Sequence, residues 1–154
     1  GHMVFTTLHT NDAAGTFTRL REMKIEPFLV SSSTIGVIAQ RLARRLCKCK
    51  EEYPAEKADK AYWGIPEGET VKFWKAVGCS ACNMTGYKGR VGIYEVMRMS
   101  ENLRAMVARG DNSDMIRDAA VKEGMLTLKA YGTMLMRDGL TSPEEVLQCV
   151  VVQE

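Results

Sequence analysis

Gly78-Cys79-Ser80-Ala81-Cys82-Asn83 sets two thiols three residues apart behind a glycine, the spacing of a zinc knuckle. A second close pair lies upstream, in Leu46-Cys47-Lys48-Cys49-Lys50. Tetrahedral zinc takes four soft ligands from two short chelating turns, and Cys47, Cys49, Cys79 and Cys82 make up such a set. The upstream pair is CxC, one residue tighter than the usual CxxC. The alternatives for the four are unrelated thiols or a disulfide. A fifth cysteine, Cys149, sits among Val146, Leu147, Val150 and Val151 and reads as a core residue.

Outward from the cysteines, the composition is that of a soluble globular chain. Its 154 residues can hold one or two small domains with a useful core. The formal charge of +2 argues neither for nor against a nucleic-acid partner. No apolar run approaches the ~18 residues that would span a bilayer, and no signal peptide is expected from the start. Without a secretory signal, an odd number of cysteines reads as reduced thiols in the cytosol. Gly1-His2-Met3 is either native or the remnant of a tag. The chain opens directly on an apolar run, as expected of a piece of a longer protein.

Three parts follow. In the first, residues 3–8 are β-branched and aromatic and predict a strand. Asn11 or Asp12 then caps a helix whose apolar positions are Ala13, Phe17, Leu20 and Met23. Glu26-Pro27 opens a second helix, ended by Gly36, and residues 37–46 lean to strand. The second part is loop-rich, with glycines at 78, 86, 89 and 92, a short helix near 55–63 and strands at 71–76 and 90–97. Having little apolar content of its own, it would draw stability from a metal. The third part is helical: Ser100 caps one helix, residues 111–123 and 127–137 form two more ended by Gly124 and Gly139, and Ser142-Pro143-Glu144-Glu145 opens the last. Met115, Met125, Met134 and Met136 read as core rather than as an interaction stripe.

Several stretches resemble one family. Thr6-Thr7-Leu8-His9-Thr10-Asn11-Asp12-Ala13 resembles the histidine box of the secretion ATPase superfamily. Residues 36–47, residues 78–95 and the ending, residues 138–147, resemble, in order, later segments of its type IV pilus assembly and type II secretion members. Retraction motors of the superfamily generally lack the four cysteines. The resemblance implies an α/β fold. Residues 1–46 would be the C-terminal part of a RecA-like P-loop ATPase domain, 47–98 a zinc-binding tetracysteine element, and 99–154 an α-helical C-terminal subdomain.

It further implies that His9 lies near the γ-phosphate of ATP as a catalytic residue, with Arg41 and Arg90 as nucleotide-binding candidates. Arg44 and Arg45 are candidates of the same kind, Arg90 is the best placed of the four, and the alternative for each is a solvated basic face with salt bridges. The implied cofactors are Zn2+, with ATP and Mg2+ in the full-length parent. The implied partners are other copies in a hexamer and an inner-membrane platform protein, in the cytoplasm at the inner membrane. No nucleic-acid partner is expected.

Two departures matter. The family's first cysteine pair is usually CxxC. This chain also has no Gly-x-x-x-x-Gly-Lys-Ser/Thr loop to cradle phosphates, so hydrolysis is expected of the parent and not of the chain alone. Pilus assembly, protein secretion and DNA uptake are not distinguished. The alternative class is a zinc-ribbon module that binds nucleic acid or protein without a motor. It would need a basic, aromatic face near the knuckle, built from Lys72, Lys75, Lys88, Arg90, Phe73, Trp74 and Tyr87.

Overall fold

The structure is a computed structural model that describes residues 2–150. It is a mixed α/β chain of seven helices and four strands among the described residues, grouped into two compact units. The first unit joins the beginning of the chain, to Ala39, with Glu95–Leu126; the second joins Gln40–Tyr94 with the remainder from Thr127. The chain therefore crosses between units inside its two long strands, β1 (Gly36–Leu46) and β4 (Tyr87–Arg98), which pair as a two-stranded ribbon.

In the first unit, α1 (Gly15–Glu22) and α2 (Pro27–Ser33) pack with α4 (Glu101–Arg109) and α5 (Ser113–Lys122). Pro27 opens α2, where a missing N–H costs nothing. The helix ends at Ser33, three residues before the expected Gly36. The hydroxyls of Ser31, Ser32 and Ser33 turn back onto the carbonyls of Phe28 and Leu29, a competition that weakens helices. Helices α4 and α5 start as side-chain chemistry requires: Ser100 Oγ accepts from Leu103 N–H at 3.1 Å and Asn112 Oδ1 from Met115 N–H at 2.9 Å. Their apolar faces meet around Leu103, Val107, Ile116 and Ala120, all buried.

The strand expected over residues 3–8 is not formed. The segment has no regular structure, and Val4 and Phe5 are 80% and 89% exposed. A strand is held by its neighbour's hydrogen bonds, and β1 and β4 pair with each other.

In the second unit, β2 (Glu51–Pro54) and β3 (Lys72–Lys75) form an antiparallel pair, with α3 (Lys57–Tyr62) in the connection. Helices α6 (Leu128–Arg137) and α7 (Pro143–Val150) pack on each other and on β3. Gly132 lets α7 approach α6: a Cβ there would lie 2.5 Å from Val146 Cγ1. That contact justifies a glycine in mid-helix, where it costs about 1 kcal/mol relative to alanine. The core comprises Phe73, Ile93, Met136 and Val146, all 0% exposed. Of the methionines read as core, Met125 and Met136 are buried, whereas Met115 and Met134 are 52% and 42% exposed. Cys149 is half-buried, its Sγ donating to the Leu42 carbonyl.

The last helix is anchored by a buried carboxylate. Glu145, 4% exposed, accepts from the Arg44 backbone N–H and Nε, each at 2.8 Å, and from Arg44 Nη2. The Arg44 guanidinium stacks over the Tyr87 ring at 4.2 Å, and Tyr87 Oη bonds Ser142 Oγ. Arg44, one of the nucleotide candidates, is thus engaged structurally. Arg44→Ala leaves the buried Glu145 carboxylate with the backbone N–H but no guanidinium and is expected to cost about 1–3 kcal/mol. Glu145→Gln, which keeps an acceptor, should cost less. Thermal melts of the two variants check this, and equal melting points would contradict it.

Candidate metal centre and nucleotide-site residues

The four cysteines of the two pairs converge in the second unit, their sulfurs all within 4.8 Å of one another. Cys47 follows the last residue of β1, and Cys49 lies in the turn before β2. Cys79 and Cys82 bracket a single 3-10 turn, Ser80–Cys82. The two halves are stitched by backbone: Cys47 N–H donates to the Gly86 carbonyl at 2.9 Å. The knuckle then reverses through two left-handed residues, Asn83 (φ 52°) and Met84 (φ 62°). Gly86, at φ 77°, has no room for a side chain, because a Cβ would stand 2.5 Å from that of Ala76.

The sulfur spacing can be set against that of a zinc tetrahedron. Neighbouring thiols lie 3.9 Å apart (Cys47–Cys79 and Cys49–Cys82) and 3.8 Å apart (Cys79–Cys82). A disulfide would need about 2.05 Å. A tetrahedron with Zn–S bonds of about 2.3 Å has edges of about 3.8 Å. The donor set therefore fits zinc in both chemistry and spacing, CxC included.

Two backbone amides point at one sulfur: Cys79 N–H and Gly86 N–H reach Cys82 Sγ at 3.1 and 3.2 Å. Burial pushes the Cys82 thiol up, but these donors and the adjacent thiols outweigh it and bring it down to about 6. Burial raises the neighbouring Cys49 thiol to about 11.

The basic aromatic face that a zinc-ribbon binder needs is not assembled. Phe73 is fully buried, and Lys72 and Lys75 are paired with Glu52 and Glu51 at 2.7 and 3.2 Å.

The nucleotide candidates are distributed as follows. His9 is exposed in the first unit, ahead of α1. In the second unit, Arg41 is half-buried in β1, its Nη1 donating to the Gln40 carbonyl, and Arg90 is exposed on β4. Two groups near the histidine box escaped the sequence reading. Glu95, 2% exposed, accepts from Ala13 N–H at 2.9 Å, and Arg117 of α5 binds Asp12. For Glu95 a signal existed, because the two-residue period of β4 places it on the buried face with Ile93 and Met97. For Arg117 none did.

A family model described as "Type II/IV secretion system protein" matches residues 1–148. The chain belongs to that family. It is 46% identical over 153 residues to the "Type IV pilus assembly ATPase PilB" of Myxococcus xanthus, a match covering 96% of this chain and 27% of that protein. It is 40% identical to the "Type II secretion system ATPase E" of Vibrio cholerae (96% of this chain, 29% of that protein). It is 41% identical to the PilB of Thermus thermophilus (96% and 17%). The chain thus spans less than a third of the length of these relatives. No helix among the described residues is long and apolar enough to cross a membrane.

Proposed function

We propose that this chain is the C-terminal part of a hexameric motor ATPase that powers type IV pilus assembly or type II secretion. Support for the class comes from the family match over residues 1–148 and from relatives that carry both activities in their names. Residues 1–46 would complete a RecA-like ATPase core supplied with its phosphate loop by the rest of the protein. There the exposed segment 3–8 would find a strand neighbour. Residues 47–98 would form the zinc element and 99–154 the helical subdomain.

The observation that carries the metal assignment is the 3.8–3.9 Å spacing of the sulfurs of Cys47, Cys49, Cys79 and Cys82. Once bound by four thiolates, zinc has no open position for water or substrate, so its contribution is structural cross-linking. It would join the end of β1 to the knuckle and hold the loop-rich stretch between β3 and β4 for docking on a platform protein at the cytoplasmic side of the inner membrane.

For hydrolysis the residues of this chain would contribute His9, donating a hydrogen bond to an anionic phosphate oxygen. Arg41 and Arg90 would offer guanidinium groups to ATP or a neighbouring subunit. ATP and Mg2+ would be held chiefly by the phosphate loop elsewhere in the parent. The isolated 154-residue chain is expected to show no ATPase activity above background and no tight ATP binding. Phosphate release and fluorescent-nucleotide titration, run beside the full-length protein, check this. Turnover by the chain alone would overturn the division of labour.

A further inference from the structure

The turn that follows His9 is held by two side chains remote in sequence. Asp12 is its centre: Oδ1 accepts from Gly15 N–H at 2.7 Å, and Thr10 Oγ1 donates to the Asp12 carbonyl at 3.0 Å. Those bonds are local. The others reach across the first unit. Arg117, 105 residues downstream on α5, donates from Nε to Asp12 Oδ2 at 2.8 Å, with Nη2 2.6 Å from the same oxygen. Its Nη1 meets Asp114 on its own helix at 3.0 Å. Glu95, 82 residues downstream on β4, accepts from Ala13 N–H at 2.9 Å. Ala13 and Ala14 are fully buried, so the turn is clamped from inside while His9, four residues before Ala13, stays exposed.

Burial works against the Arg117 charge, but Asp12 and then Asp114 more than offset it and raise its pKa. A charged fork on a carboxylate is directional and strong. Nothing local to residues 6–13 requires it: Asp12 already binds Gly15.

We infer that Arg117, acting through Asp12 and seconded by Glu95, is a positioning residue for His9, and that α5 thereby reports on or sets the geometry of the nucleotide site. The inference rests on the reading of His9 given above. Binding energy held in a remote contact reaches the chemistry by fixing where the reacting group sits, and a displacement of about 1 Å can cost about 100-fold in rate.

The test is a double-mutant cycle in the full-length ATPase, with Arg117→Gln, Asp12→Asn and the double variant. His9→Ala, Asp114→Asn and Arg117→Lys accompany it, each read by kcat, KM for ATP and melting temperature. Arg117→Gln is expected to lower kcat by about tenfold or more while KM stays within about twofold. The double variant should be no slower than Asp12→Asn alone, Arg117→Lys should recover part of the rate, and Asp114→Asn, which leaves the Arg117–Asp12 contact in place, should slow turnover less than Arg117→Gln. If His9→Ala abolishes turnover and Arg117→Gln does not slow it, the inference is wrong and the reading of His9 stands. If kcat falls only in step with melting temperature, or the two variants add, Arg117 is merely structural. If His9→Ala retains full kcat, the reading of His9 fails and the inference falls with it.

Discussion

Cys79→Ser combined with Cys82→Ser is expected to remove the metal and unfold the stretch from Cys47 to the start of β4. Apparent binding energies for structural zinc sites are on the order of 10–16 kcal/mol at neutral pH, whereas a whole domain is stable by about 5–15 kcal/mol. The loop-rich residues between β3 and β4 have few alternatives. Gly78 and Gly86 sit at φ 114° and 77°, and Asn83 and Met84 are left-handed. Such backbone is retained only where the surroundings over-determine it. A chelator should reproduce the effect in the unmodified chain. Cys149→Ser is the control: that thiol contacts the Leu42 carbonyl and lies outside the cluster, so its loss should leave zinc content and melting temperature nearly unchanged. Circular dichroism melts with parallel metal analysis provide the readout. A double variant that keeps both its zinc and its melting temperature would place the site elsewhere.

His9→Ala in the full-length protein is expected to lower kcat by about 100-fold, the usual cost of removing one donor to a developing charge. ATP affinity should change by about threefold or less, because an interaction made mainly in the closed, hydrolysing state contributes little to ground-state binding. Steady-state kinetics beside equilibrium nucleotide titration separate the two. Equal losses in both would make His9 a ground-state ligand. The exposure of His9 accords with a ligand or neighbouring element arriving from outside this chain.

The cysteine cluster was legible because its information is local. Two chelating pairs announce themselves by spacing, and only the convergence of their sulfurs needed coordinates. The helices of the third part were equally legible, since Ser100, Asn112 and Thr127 cap them with their own side chains. Strand β2 was hidden. Glu51-Glu52-Tyr53-Pro54 has two acids and a proline, a poor strand signal taken alone. It becomes sensible against β3, where Glu51 faces Lys75 across the ladder and Glu52 reaches Lys72.

Residues 3–8 erred the other way. Their composition predicts a strand, but a strand is a property of a pair. The apolar side chains left exposed there, with Ile38 at 66% and Leu42 at 49% exposed on β1, should make the isolated chain self-associate as concentration rises. The distant partners of the carboxylates of Asp12, Glu95 and Glu145 were the least legible, because a charged residue reads as surface until its partner is known. Those partners lie between 82 and 105 positions away.

We propose a structural zinc held by Cys47, Cys49, Cys79 and Cys82 in this member of the type II/IV secretion family. X-ray absorption at the zinc edge, on protein purified without added metal, tests it most directly. About one zinc per chain is expected, in a shell of four sulfurs at about 2.3 Å. A folded, metal-free chain, or a shell in which nitrogen or oxygen replaces any of the four sulfurs, would contradict it.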